Sequence, residues 1–110
     1  MSNNSNTALY NLLGICALSG NIVSGGEMVE DAVRRGKAHL VIVTEDIGNS
    51  MLKAISDNTE FYSVPLICFG EKEQLGKSIG KGPRSEVEIT YKGLAKSFSD
   101  KYQTQHPGVN

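Results

Sequence analysis

Few residues in this 110-residue chain have the type and spacing that chemistry needs. Only His39 and His106 are of the residue type that could serve as a general base near neutral pH, the first beside an apolar run and the second in a polar tail. Cys16 and Cys68 lie far apart in apolar surroundings, with no second Cys or His at metal-ligand spacing. Both read as reduced core residues, and a redox pair stays open if they meet in space. Glu45 and Asp46 follow a β-branched run, where α/β sheets often bind ligands. Without further acids at spacing, Asp46 reads as the cap of the Gly48-Asn49 turn. There is no P-loop and no nucleophile elbow. The expectation is a protein that is not an enzyme, with no catalytic residue, no metal and no cofactor.

Two features have more to offer. Ser24-Gly25-Gly26-Glu27 reads as a capping box, the serine accepting from a first-turn amide and Glu27 reaching back. A capping box does not need two successive glycines, and these suggest close approach by another backbone. The second feature is charge. The chain's net charge is −1, but residues 1–70 carry four bases against seven acids, whereas residues 71–110 carry seven bases against five acids. Within 72–84, Lys72, Lys77, Lys81 and Arg84 face only Glu73, a local patch of positive charge.

Positioning these groups requires a folded core, and 110 residues suffice for one. Leu9, Leu12, Leu13, Cys16 and Ala17 recur at helical spacing from Thr7 to Leu18, and Ser19-Gly20-Asn21 stops them. A short Ile22-Val23 strand leads to a second helix with Met28, Val29, Ala32 and Val33 on one face, ended by Gly36. The run from His39 to Thr44 has no alternation and reads as a central strand covered on both faces. A helix from Asn49 to Tyr62, with Met51, Leu52, Ile55 and Tyr62 inward, precedes a strand opened by Pro65. A shorter helix over Glu71 to Ile79, a half-buried strand over Glu86 to Thr90 and a helix with Leu94, Phe98 and Tyr102 at i, i+4, i+8 complete the pattern.

Strands and helices therefore alternate, which predicts a three-layer α-β-α sandwich around a mixed central sheet of about four strands. The expected organisation is a disordered N-terminus over 1–6, one domain over 7–103 and a disordered tail over 104–110. The longest apolar run, Leu40 to Val43, is far too short to span a bilayer, and MSNNSNT lacks the features of a signal peptide. A cytoplasmic protein with no membrane association follows as the expectation.

In this order, VSGGEMVEDAVRRGKAHLVIVTED, EFYSVPLICFG and KEQLGKSIGKGPRSEVEI resemble the ribosomal L-seven-Ae and L-thirty-e superfamily of kink-turn RNA-binding proteins. The likeness is greatest to its small bacterial YlxQ-like branch. It covers about Leu9 to Phe98 and rests most on Thr44-Glu45-Asp46 and on Leu75-Gly76 with Gly80. It implies an L-thirty-e-like fold and an RNA-binding function in translation or the ribosome. It further implies that Ser24, Gly25, Gly26 and Glu27 enter structured RNA, such as ribosomal or other kink-turn RNA, with Lys72, Lys81 and Arg84 on phosphate and Leu52 near an unstacked base. Where the family has Gly, Ala, Asn, Glu and a Lys one turn on, this chain has Gly25, Gly26, Glu27, Met28 and Asp31. Glu27 accepts hydrogen bonds but cannot donate them, and Asp31 repels phosphate. The competing expectation is a protein-interaction module on the same fold that has lost kink-turn recognition, contacting ribosomal or other RNA-associated proteins. A monomer is expected in either case.

Overall fold

The computed structural model describes residues 4–106. In chain order its elements are α1 (Asn4–Leu18), β1 (Ile22–Ser24), α2 (Gly26–Arg34), β2 (Leu40–Val43), α3 (Asn49–Phe61), β3 (Leu66–Cys68), α4 (Lys72–Ser78), β4 (Glu86–Ile89) and α5 (Lys92–Gln105). The strands form one sheet in the order β1-β4-β2-β3. β4 is antiparallel to both of its neighbours, and β2 and β3 are parallel, so the sheet is mixed as expected. Helical boundaries extend further than the periodicity implies. α1 begins at Asn4 and α5 runs to Gln105, so 4–6 and 104–105, expected to be disordered, are helical; 1–3 and 107–110 lie outside the described residues.

Alternation along the strands sends side chains to two cores. On one face Leu40, Ile42, Val87 and Ile89 meet Leu9, Leu13 and Cys16 of α1, Leu75 of α4 and Phe98 of α5. Phe69, just past β3, packs between Tyr10 and Phe98 with ring centroids 4.9 and 5.8 Å away. On the other face Val41 and Val43 meet Val29 and Val33 of α2 and Ile55 of α3. Each such aliphatic side chain removed from water contributes roughly 1.5–3 kcal/mol. These two cores make three layers, α1, α4 and α5 below the sheet and α2 and α3 above it. No helix among the described residues is long and apolar enough to cross a membrane.

Several side chains depart from the sequence reading. Met28, Met51 and Tyr62, expected inward, are exposed, because α2 and α3 bury the narrower stripes of Val29, Ala32 and Val33 and of Ile55 and Thr59. Cys68, expected in the core, is exposed because β3 is an edge strand, whereas Cys16 is buried. Both thiols are free.

β4 differs most. A half-buried strand would turn Glu86 and Glu88 to water, but β4 lies inside the sheet with both faces covered, and both glutamates are buried. Glu88 pairs with Val23 on one side and Val41 on the other, on the face that α2 and α3 cover. Neither of its carboxyl oxygens has a hydrogen-bond partner among the described residues. Burial pushes its pKa from 4.5 up to about 7. Burial also raises the Glu86 carboxyl, with the nearby Glu30 charge adding to it.

A second constraint fixes the segment between α4 and β4. Gly76, buried on α4, lies so close to that segment that a Cβ there would collide with the Gly82 carbonyl and crowd Pro83. The Lys81 amide donates to the Gly76 carbonyl at 2.8 Å, clamping the same contact. Gly76→Ala is expected to lower stability in urea titration by about 1–3 kcal/mol, the usual consequence of overpacking.

The buried Glu88 makes stability depend on pH. Below pH 4.5 its carboxyl is protonated in the folded and the unfolded chain alike. As pH rises from there to about 7, the unfolded chain ionises while the folded chain keeps its proton, so stability falls; above that range the loss is constant. Its contribution to the loss between pH 4.5 and 8 is about 3 kcal/mol. Urea titrations should show Glu88→Gln losing less stability than the native chain between pH 4.5 and 8, so that its stability relative to the native chain rises over that range; equal pH profiles would refute the assignment.

Candidate nucleic-acid interface

Ser24 ends β1, and Gly25 turns the chain into α2 with φ 96° and ψ 139°, a conformation that side chains with a Cβ rarely adopt. Gly25 is the N-cap of α2, and no side chain caps the helix. The expected capping box is therefore absent. Ser24 sits one residue too early for it, and its hydroxyl instead accepts from Nε of Arg84 at 3.2 Å. The second glycine also has a tertiary cause. A Cβ on Gly26 would lie 2.5 Å from Oε1 of Glu86, so the close approach is by a buried side chain and not by backbone.

The backbone holds this corner firmly. The Gly25 amide donates to the Glu86 carbonyl at 3.1 Å, and the Thr44 amide donates to the Ser85 carbonyl at 2.9 Å. Both β1 and β2 are thus tied to the start of β4 where it leaves the sheet. The Arg84 amide in turn donates to the Lys72 carbonyl at 3.0 Å. The Lys72 amide, in the first turn of α4, donates to the Asp46 carboxylate at 3.1 and 3.4 Å. Asp46 therefore caps α4 and not the Gly48-Asn49 turn, because the strand order brings the end of β2 beside the end of β3.

A continuous chain of hydrogen bonds thus runs from Ser24 through Arg84 and Lys72 to Asp46, joining four segments along one edge of the sheet. Of the sequence-predicted residues, it brings together Ser24, Gly25, Gly26, Lys72 and Arg84. Glu27 is exposed on the first turn of α2. Lys81 is exposed in the segment that Gly76 and Gly82 hold in place. Leu52 is on the first turn of α3, half-buried against the upper core. Exposed Met28 lies on the first turn of α2 and exposed Met51 on the first turn of α3.

Among the described residues, none of Lys72, Lys77, Lys81 and Arg84 forms a salt bridge. Arg84 also donates through its guanidinium to the Pro83 and Gly82 carbonyls at 3.0 and 3.3 Å, which fixes its plane. Asp31 is less of an obstacle to an anion than its type implies. Its carboxylate pairs with Arg35 at 2.9 Å and with Arg34 at 3.4 Å, which offsets its charge. Groups that can donate to or attract a polyanion therefore collect around a glycine-turned helix start, an arrangement suited to contacting a phosphate backbone and nearby base edges. No group of His, Cys, Asp and Glu among the described residues is arranged to hold a metal ion.

Sequence reasoning missed two contributors, Asp46 as the anchor of Lys72 and Glu86 as the reason for Gly26. Two glutamates at i and i+2 between apolar residues were the one visible signal for the second, and that pattern fits an outward-facing row equally well.

The sequence profile of the "Ribosomal protein L7Ae/L30e/S12e/Gadd45 family" matches residues 7–98. The chain is 35% identical over 86 residues to the RNA-binding protein YlxQ of Bacillus subtilis (strain 168), covering 78% of this chain and 86% of that protein. It is 29% identical over 90 residues to the RNA-binding protein YlxQ of Enterococcus faecium, covering 82% and 86% respectively. A solved structure of a protein of unknown function from Bacillus halodurans C superposes with a TM-score of 0.82 at 29% identity, covering 84% of this chain and 94% of that one. The 15.5 kD RNA-binding protein of Giardia lamblia shares the fold, with a TM-score of 0.79 at 23% identity over 99% of this chain and 93% of its own. The sequence match over residues 7–98, nearly all of the domain, places the chain in the ribosomal protein L7Ae/L30e/S12e/Gadd45 family.

Proposed function

We propose that this protein binds structured RNA of the kink-turn kind, in the cytoplasm and as a monomer, with a role in translation or ribosome function. The observation that carries the reading is the bonded rim itself. Ser24 and Lys72 are held against one Arg84, so the uncapped start of α2 and the basic segment present themselves to a ligand together. The relatives named as RNA-binding proteins support the ligand class.

In this reading Lys72, Lys81 and Arg84 contact phosphate. Ser24, Gly25, Gly26 and Glu27 approach the bases or sugars, and Leu52 packs near an unstacked base. Glu27 favours donors on a base edge over phosphate oxygens. Gel shifts with a kink-turn RNA and a matched straight duplex are expected to show tighter binding to the kinked form. Replacing Lys72, Lys81 and Arg84 together by Gln should reduce the dependence of log affinity on log salt by up to about three units. Equal affinities for the two RNAs would remove the kink-turn specificity, and an unchanged salt slope would remove these three residues from the contact.

The exposure of Met28 and Met51 favours a second reading, a protein-interaction module on the same fold. Pull-downs before and after nuclease treatment separate the two. Partners lost with the RNA support the first reading, and partners that persist and depend on Met28 support the second.

A further inference from the structure

A cleft of about 420 Å³ opens at the carboxyl ends of β2 and β3, on the α1 and α5 side of the sheet. These strands are the parallel pair of the described sheet, and the crevice beyond the carboxyl ends of parallel strands is where α/β folds commonly place ligands. None of the residues assigned above to RNA contact lines it.

Aromatic rings wall it, and beside the neutral polar groups of Asn6, Thr7 and Gln74 it carries two carboxylates. Tyr10 comes from α1, Phe69 from the end of β3, and Tyr102 and His106 from the end of α5. The last two rings are stacked, their centroids 4.2 Å apart and their planes within 17°. The Tyr10 hydroxyl accepts from the Glu71 amide at 3.1 Å, which fixes that ring in place. Glu45 and Glu71 supply carboxylates, and neither forms a salt bridge among the described residues. Lys and Arg are absent from the lining. Burial first, and the Glu45 charge after it, raise the Cys68 thiol; burial, then Cys68 and Glu45, raise the Tyr102 phenol.

A phosphate or a nucleotide would meet two carboxylates and neither Lys nor Arg here, so an anionic ligand is disfavoured. A planar cation suits the site from both directions, since ring faces attract it and carboxylates can hold it in a bidentate pair. An ammonium offers a point charge without the flat face that ring walls accommodate. We infer that this cleft is a docking site for the guanidinium of an arginine in a basic polypeptide segment, separate from the RNA-contacting rim.

The inference does not rest on the RNA reading and is tested without RNA. Fluorescence anisotropy of the full chain with a labelled peptide carrying arginines between Gly and Ser should show saturable binding. Glu45→Gln with Glu71→Gln should weaken it at least tenfold, whereas Asp57→Asn with Glu60→Gln, on the far side of the sheet, should leave it unchanged. The same peptide with lysine in place of arginine should bind more weakly. Bound peptide should also slow alkylation of the exposed Cys68 by a maleimide, a readout that needs no variant. Equal weakening by both acid pairs, equal affinity for the two peptides, or Cys68 alkylation unaffected by saturating peptide would each overturn the assignment.

Discussion

The placement of β4 between β1 and β2 governs most of what this protein presents to a partner. Because β4 pairs antiparallel with both neighbours, the end of β1, the end of β2 and the start of β4 must meet at one edge of the sheet. That edge receives Gly25, Thr44 and Ser85, and their backbone hydrogen bonds continue the pairing one residue beyond the regular strands. The basic segment before β4 has no independent freedom after this. Gly76 holds it from below by close contact, and Arg84 holds it from the side through Ser24 and Lys72.

The same placement buries Glu86 and Glu88. An inner strand under two helices offers no outward face, and two carboxyl groups therefore sit where apolar side chains would stabilise the sheet better. One of them also explains a feature of the candidate interface. The Glu86 carboxyl occupies the space a Cβ would need at Gly26, so the second glycine follows from the interior and not from the ligand. The first glycine follows from its backbone conformation. Neither glycine, by itself, is a reason to expect RNA there; the argument passes to the side chains gathered around them.

Charge is divided along the same edge. Toward β1 and α4 the bases Lys72, Lys81 and Arg84, none in a salt bridge among the described residues, favour a polyanion, and toward β3 and α5 the cleft with Glu45 and Glu71 suits a cation. Opposite preferences on one edge would let a nucleic acid and a basic protein segment lie side by side without competing for the same groups.

Periodicity alone determined the order and type of the elements, because helices and strands write their burial into the sequence at spacings of 3.6 and 2. The unbroken Leu40–Val43 run announced the covered strand β2, and the basic bias of 72–84 was visible as composition. Tertiary structure decided what those patterns leave open. Met28 and Met51 lie at the margins of apolar stripes whose width is set by the neighbouring helix, and Cys68 is exposed because its strand falls at the edge. Ser24 exchanged a local cap for a bond to a residue sixty positions away. The acidic cleft draws its walls from α1 and α5, near opposite ends of the chain. Such contacts depend on strand order, and strand order follows from the total burial of both cores, a sum over the whole chain that no local pattern of residues contains.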